Sequence, residues 1–174
     1  MDDASFDRIY REHVAFVWRL SRSLGVAELA VDDVVHEVFL VIERRFDQRA
    51  DAVPVRAWIA RIVRNVVMHH HRGRAREAHR IAQLVPPEAP RGPDDELGLV
   101  EAAARVQRFL DGLDVARREV FALIEIEGLT APQVAELTGT KLPTVYTRLR
   151  SARAELAAFV ELDRAAAGGT HARR

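Results

Sequence analysis

The sequence predicts an all-α protein: two small helical domains joined by a Pro-rich flexible linker, the C-terminal one a helix-turn-helix domain. Three observations lead there. Apolar residues recur at helical spacing along most of the chain, with no β-alternation and no internal repeat. The stretch LVPPEAPRGPDDE, Leu84 to Glu96, places four prolines in thirteen residues, the composition of an extended linker. The stretch GLTAPQVAELTGTKLPTVYTRLRSARAEL, Gly128 to Leu156, reads as two short helices broken at a glycine. The expected organisation is a first domain over 1–83, the linker over 84–96, a second domain over 97–163, and a disordered tail over 164–174.

The elements follow in order. Phe6, Ile9, Tyr10, Phe16, Val17, Leu20 and Leu24 mark an amphipathic first helix that ends near Gly25. Val31, Val34, Val35, Val38, Phe39 and Ile42 mark a second, to about Arg45. FDQRADAVP, Phe46 to Pro54, has no helical period and ends in proline, so it is expected to be a loop. In the third helix Trp58, Ile59, Ile62, Val63, Val66 and Val67 form the buried side, and Arg61, Asn65, His69 and Arg72 a polar one. After the linker come helices at about 96–111 and about 115–127, the latter capped by Asp114. The linker's thirteen residues extend to at most roughly 43–47 Å, more than the ~34–36 Å of one turn of DNA.

The last two helices carry the strongest local signals. Thr130 and Gln133 make a capping box, with Pro132 harmless in the first turn, so a helix starts near Ala131. Gly139 supplies a positive φ where that helix ends, and Pro143 can open the next. This is helix-turn-helix spacing. Val145, Leu149, Ala152 and Leu156 form one buried stripe of the second helix, while Tyr146, Arg150 and Arg153 share another face, with Thr144 and Thr147 beside it. Such a face can bond phosphates and base edges in a major groove. An ordinary αα-hairpin with a solvated basic face has the same pattern.

Charge refines this. The formal net charge is zero, from 26 basic and 26 acidic residues, yet the signs are segregated. Residues 1–50 hold 7 basic and 10 acidic side chains, 51–80 hold 7 and 2, 81–128 hold 5 and 10, and 129–174 hold 7 and 4. Two cationic blocks suggest two contacts with a polyanion and leave the acidic segments for a protein partner. No stretch is apolar for long enough to cross a membrane, and Met1-Asp2-Asp3 lacks the start of a signal peptide, so a cytoplasmic location without membrane insertion is expected. With no cysteine, this chain has no disulfide, zinc-thiolate site or thiol sensor, and redox sensing would belong to a partner. Neighbouring helical residues point about 100° apart, so His69, His70 and His71 cannot converge on one ion. No metal or cofactor is expected. No nucleophile, histidine and acid arrangement or glycine-rich phosphate loop is present, so no catalytic site is expected either.

Two stretches in this order resemble a known family. DDVVHEVFLVIERRF followed by PVRAWIARIVRNVVMHHHRGR is similar to the acidic helix, loop and Trp-containing helix of bacterial sigma factors of the extracytoplasmic-function (ECF) type. GLTAPQVAELTGTKLPTVYTRLRSAR is similar to their promoter-reading helix-turn-helix. The resemblance spans about residues 5–162, with the N-terminal half like the family's second conserved region and the C-terminal half like its fourth. It departs from the common pattern at His36, where many members have glutamine, and at Pro143, where many have a small residue.

The resemblance implies a specificity subunit of RNA polymerase that directs transcription initiation. Asp33, His36, Glu37 and Leu40, with Phe39 nearby, would meet the clamp coiled coil of the polymerase's largest subunit, and the flap is a second expected contact. The loop residues Phe46, Asp47, Gln48 and Arg49 would capture a flipped base of the minus-ten element. Arg61, Asn65, His69 and Arg72 would bind the adjoining backbone and bases. Thr144, Tyr146, Thr147, Arg148, Arg150 and Arg153 would bind the minus-thirty-five element. An anti-sigma protein is a further expected partner. The competing functions are an autonomous helix-turn-helix regulator, which leaves residues 1–80 unexplained, and a sigma-like decoy for an anti-sigma protein, which has no need of arginines on its reading helix.

Overall fold

The apolar stripes of the N-terminal half find one another as three helices. In α1 (Asp3–Ser23) Ile9, Phe16, Val17 and Leu20 are buried, in α2 (Glu28–Arg45) Val31, Val34, Val35, Val38, Phe39 and Ile42, and in α3 (Val55–Ala82) Ile59, Ile62, Val63, Val66 and Val67. Each helix packs on both others. The computed structural model describes residues 3–49, 53–82 and 99–171, and every regular element among them is helical. None of the described helices is long and apolar enough to cross a membrane.

The α1–α2 corner is closed by local chemistry. Gly25 takes φ 93°, which lets Val26 N–H reach the Ser21 carbonyl (3.1 Å) and Gly25 N–H the Arg22 carbonyl (2.9 Å). Arg22 Nη1 donates to the Val26 carbonyl (2.6 Å), and His71 Nε2, from α3, donates to the Leu24 carbonyl (3.1 Å). Carbonyls at the end of α1 are thereby satisfied by the turn itself, and those of the turn by Arg22 and, across the bundle, by His71. Lower in the bundle the Arg56 guanidinium lies 4.4 Å from the centre of the Phe16 ring, a cation–π contact.

Contacts divide the chain after Ala104, and the unit beginning at Arg105 has its own core. It comprises the end of α4 (Leu99–Gly112), α5 (Val115–Phe121), a wider π turn over Ala122–Ile126, α6 (Ala131–Thr138) and α7 (Leu142–His171). Phe109, Leu110, Leu113, Phe121 and Ala152 cluster, with Ile126, Leu156 and Phe159 packed against them. The Phe109 ring meets Phe121 edge-on at 5.1 Å and Phe159 at 5.7 Å. Arg117 pairs with both Asp114 and Glu155, tying α5 to α7, and Arg105 pairs with Asp163 at 3.3 Å.

The structure departs from the sequence expectation in three places. Phe46–Gln48 form a single 3₁₀ turn within the expected loop, held by Arg49 N–H to the Phe46 carbonyl (3.0 Å) and by Phe46 standing edge-on to Trp58 at 6.0 Å. The helix expected over 115–127 is regular only to Phe121 and then widens, with Glu127 N–H reaching back five residues to the Ala122 carbonyl (3.0 Å). Residues 164–171, expected to be disordered, continue α7. Ala165 to Ala167 are strong helix formers there, and Arg164 pairs with Glu161 at 3.1 Å. The helix expected from about 96 is described from Leu99. The linker 84–96 and the tail's last three residues lie outside the described residues.

Asp114 Oδ1 accepts from Arg117 N–H at 2.9 Å as the N-cap of α5. That backbone hydrogen bond, followed by the bond from the Arg117 side chain, holds its carboxyl below the usual value of 3.8. A depressed carboxyl pKa stabilises the fold above 3.8 and loses that effect as pH falls through the lower folded value. Asp114→Ala is expected to cost about 1 kcal/mol near neutral pH, with a smaller cost well below the usual carboxyl value of 3.8. Urea unfolding of both chains at the two pH values measures this. An equal cost at both would show that the carboxylate charge is not what caps α5.

Candidate nucleic-acid and protein interfaces

The buried stripe of α2 leaves Asp33, His36 and Glu37 exposed and Leu40 half-buried, so four of the five residues expected on this face share it. Phe39 does not. It is 3% exposed, wedged between the Phe6 ring (6.3 Å, edge-on) and the Tyr10 ring (4.7 Å), because its position on α2 points at α1. Beside it α1 contributes Tyr10 and Trp18, 41% and 40% exposed, across a cleft of about 430 Å³ that His36, Phe39 and Leu40 also line and that Asp32 and Glu43 edge with acid. Tyr10, Val14 and Trp18 recur at i, i+4 and i+8, a helical stripe the sequence already contained. From α3, His70 lies within electrostatic reach of Glu37 and Asp33. Burial, then His71 and Arg74, lower its pKa from 6.5, while Glu37 and Asp33 oppose the shift.

In α3 the residues expected to meet the minus-ten element come together. Arg61, Asn65, His69 and Arg72 form one exposed stripe, opposite the buried Ile59, Val63, Val66 and Val67. Contacts join the described residues of the loop leading into this helix, 46–49 and 53–54. Arg49 Nη1 donates to the Val53 carbonyl (2.7 Å) and its guanidinium lies 5.8 Å from the Phe46 ring, which itself leans on Trp58. Asp47 and Gln48 are exposed at its tip. Phe46 and Arg49 therefore shape the loop, and Asp47 and Gln48 are its outward-facing pair.

The helix-turn-helix has the expected caps. Thr130 N–H donates to Gln133 Oε1 (2.8 Å), Gln133 N–H donates to Thr130 Oγ1 (3.4 Å), and Gly139 adopts φ 67° between the helices. Val145, Leu149 and Ala152 are buried, which turns Thr144, Tyr146, Thr147 and Arg150 to solvent. Thr147 Oγ1 donates back to the Pro143 carbonyl (3.0 Å), leaving its lone pairs as acceptors. Arg148 is half-buried and donates to Thr140 Oγ1 (3.4 Å). Arg153, expected to share a face with Tyr146 and Arg150, is exposed as they are, but its side chain turns to the π turn, where its Nε and Nη2 donate to Glu125 Oε1 at 2.9 and 2.6 Å.

The loop geometry separates two kinds of variant. With core polymerase and a library of minus-ten variants, replacing Asp47 and Gln48 together by alanine is expected to change the rank order of transcription among those variants. Arg49→Ala is expected to lower output from all of them by a similar factor, since it removes the bond that shapes the loop. An unchanged rank order in the double variant would remove the loop tip from base reading.

Comparison with known proteins agrees with this geometry. The chain matches the family models described as Sigma-70 region 2, over residues 9–77, and Sigma-70, region 4, over residues 103–156. It is 31% identical over 169 residues to RNA polymerase sigma factor CnrH of Cupriavidus metallidurans, covering 91% of this chain and 88% of that protein. It is 31% identical over 158 residues to ECF RNA polymerase sigma factor SigM of Mycobacterium tuberculosis, covering 90% and 77%. Among solved structures it is similar to CnrH in complex with the cytosolic domain of CnrY, with a TM-score of 0.68, 28% identity and coverage of 93% and 91%. It also shares its fold with the sigma factor RpoE of Bartonella quintana, solved with the anti-sigma factor NepR, at a TM-score of 0.75, 20% identity and coverage of 91% and 98%. With both conserved regions present in order, and relatives of this identity matched over most of the chain, the protein belongs to the ECF sigma factors of the sigma-70 family, which direct RNA polymerase to promoters.

Proposed function

We propose that this chain binds core RNA polymerase through the acidic α2 face and cradles promoter DNA at two places, the loop and α3 stripe on the minus-ten element and α7 on the minus-thirty-five element. One observation carries the assignment. Each unit turns a cationic helical face outward, Arg61 to Arg72 on α3 and Tyr146 to Arg150 on α7, while the α2 face between the N-terminal elements is acidic. Two basic faces suit phosphates and base edges. An acidic, partly apolar face suits a basic protein surface. Residues 84–96 serve as the tether that lets the units occupy separate elements.

The flap contact expected from the resemblance is assigned to a groove of about 390 Å³ in the second unit, where Phe109, Phe121, Ile126, Leu156 and Phe159 leave apolar surface open to an apolar segment. CnrH is solved with the cytosolic domain of a second protein. On that likeness an anti-sigma protein is proposed as the regulator of this chain, acting in the cytoplasm where the holoenzyme meets the nucleoid. The chain itself supplies specificity, and polymerase supplies the chemistry.

Run-off transcription with purified core polymerase on fragments of the source genome, with and without the chain, tests the whole assignment. Charge reversal at Asp33 and Glu37 together is expected to weaken co-purification with core polymerase while leaving the helical circular-dichroism signal intact. Undiminished association would remove α2 from the contact. On α7, Arg150→Ala is expected to cost about 1–3 kcal/mol on the preferred minus-thirty-five sequence and to relax choice at one position. Holoenzyme binding to single-base variants measures both, and a uniform loss across variants would mean that Arg150 touches phosphate instead.

A further inference from the structure

Two arginines flank the exposed face of α7, and each is braced from outside the helix. Arg148 leans on Thr140 Oγ1, and Arg153 on Glu125 Oε1, whereas Arg150 between them has no hydrogen bond or ion pair among the described residues. The brace on Arg153 is the stronger: two charge-assisted bonds to one carboxylate oxygen, with the Glu125 side chain 33% exposed and the Arg153 side chain 60%. Glu125 is the exposed residue of the π turn, between the half-buried Ile124 and Ile126 and two residues after the buried run Glu119 to Leu123. The turn that carries Glu125 is thus held to the core by its buried residues, and its extra width sets where the carboxylate lies.

A guanidinium has two usable edges. Glu125 takes Nε and Nη2 of Arg153, and Nη1 keeps two N–H groups outside that pairing. We propose that Glu125 is a positioning residue for promoter binding: it holds Arg153 on the flank of α7 with Nη1 presented to a backbone phosphate of the minus-thirty-five DNA. This rests on the reading of α7 as the minus-thirty-five helix. The gain is entropic. A free arginine at the wall of the groove must be ordered when DNA arrives, and one already held by its neighbour has little rotamer freedom left to lose.

Charge works against a simple test, since Glu125 itself repels phosphates and its removal mixes two effects of opposite sign. Glu125→Gln and Glu125→Ala avoid this. Both are neutral, but glutamine keeps an oxygen that can accept from Arg153 and alanine does not. Affinity is measured in holoenzyme built with the full chain, on the promoter fragment giving the strongest run-off transcript, at two salt concentrations, with helical content and unfolding midpoint checked for each variant. Glu125→Gln is expected to bind roughly two- to tenfold more tightly than Glu125→Ala, the range for ordering one long side chain. In an Arg153→Ala background the two should bind alike. Equal affinities with Arg153 present overturn the proposal, and so does a gap that persists without Arg153, because Glu125 would then act through the fold. Arg153→Ala alone is expected to weaken all sequences and to reduce the salt slope by about one. If it changes neither, the phosphate role of Arg153 fails first. If it changes both while the glutamine and alanine variants agree, only the positioning role fails.

Discussion

Val145, Leu149 and Ala152 are buried against the second unit's core, and that burial sets the azimuth of α7. Fully burying one aliphatic side chain is worth about 1.5–3 kcal/mol, whereas an exposed ion pair such as Arg153 with Glu125 is worth about 0.2–1 kcal/mol. The stripe therefore decides which way the helix faces, and polar contacts adjust side chains within that setting. A rotation by one residue, about 100°, would carry the buried stripe into solvent. Which residues face outward, where DNA is proposed to bind, follows from where the valines and leucines go. On α3 the same constraint acts through Ile59, Val63, Val66 and Val67, whose burial leaves Arg61, Asn65, His69 and Arg72 as the outward stripe.

Polar groups supplied by the body then fix what the stripes leave free. His71 and Arg22 satisfy carbonyls at the α1–α2 corner, Arg49 closes the loop onto Val53, and Glu125 reaches Arg153. These bonds join groups that burial alone would leave loose, and the last two lie where DNA is proposed to touch. The position proposed to read bases differs from the braced ones in this respect. Arg150 stands clear, while the arginines on either side of it are held.

Each unit is small and carries no disulfide, since the chain has no cysteine, and both keep apolar surface at a cleft or groove. A three-helix core of this size supports only modest stability alone. The open aromatics Tyr10 and Trp18 in the first unit, and the groove beside Phe159 in the second, are surfaces a partner can cover. Binding there would add stability by mass action.

What the sequence alone determined was local. The capping box of Thr130 with Gln133, the left-handed Gly139, the Asp114 cap and the buried stripes of α2, α3 and α7 all follow from residues within a few positions of one another. The backbone hydrogen bonds and helical period they express are equally short-range. The exposed stripe Arg61, Asn65, His69 and Arg72 was legible for the same reason. Only the tertiary structure decided that Phe39 is buried under α1 while Tyr10 and Trp18 open toward solvent, because helical spacing marks a stripe without saying which neighbour covers each part of it. It alone put His71 on the Leu24 carbonyl, 47 residues away, and Arg153 on Glu125, 28 residues away. Those pairings depend on how two helices cross and on the extra width of the turn at Ala122–Ile126, and a period counted along one helix holds no information about either.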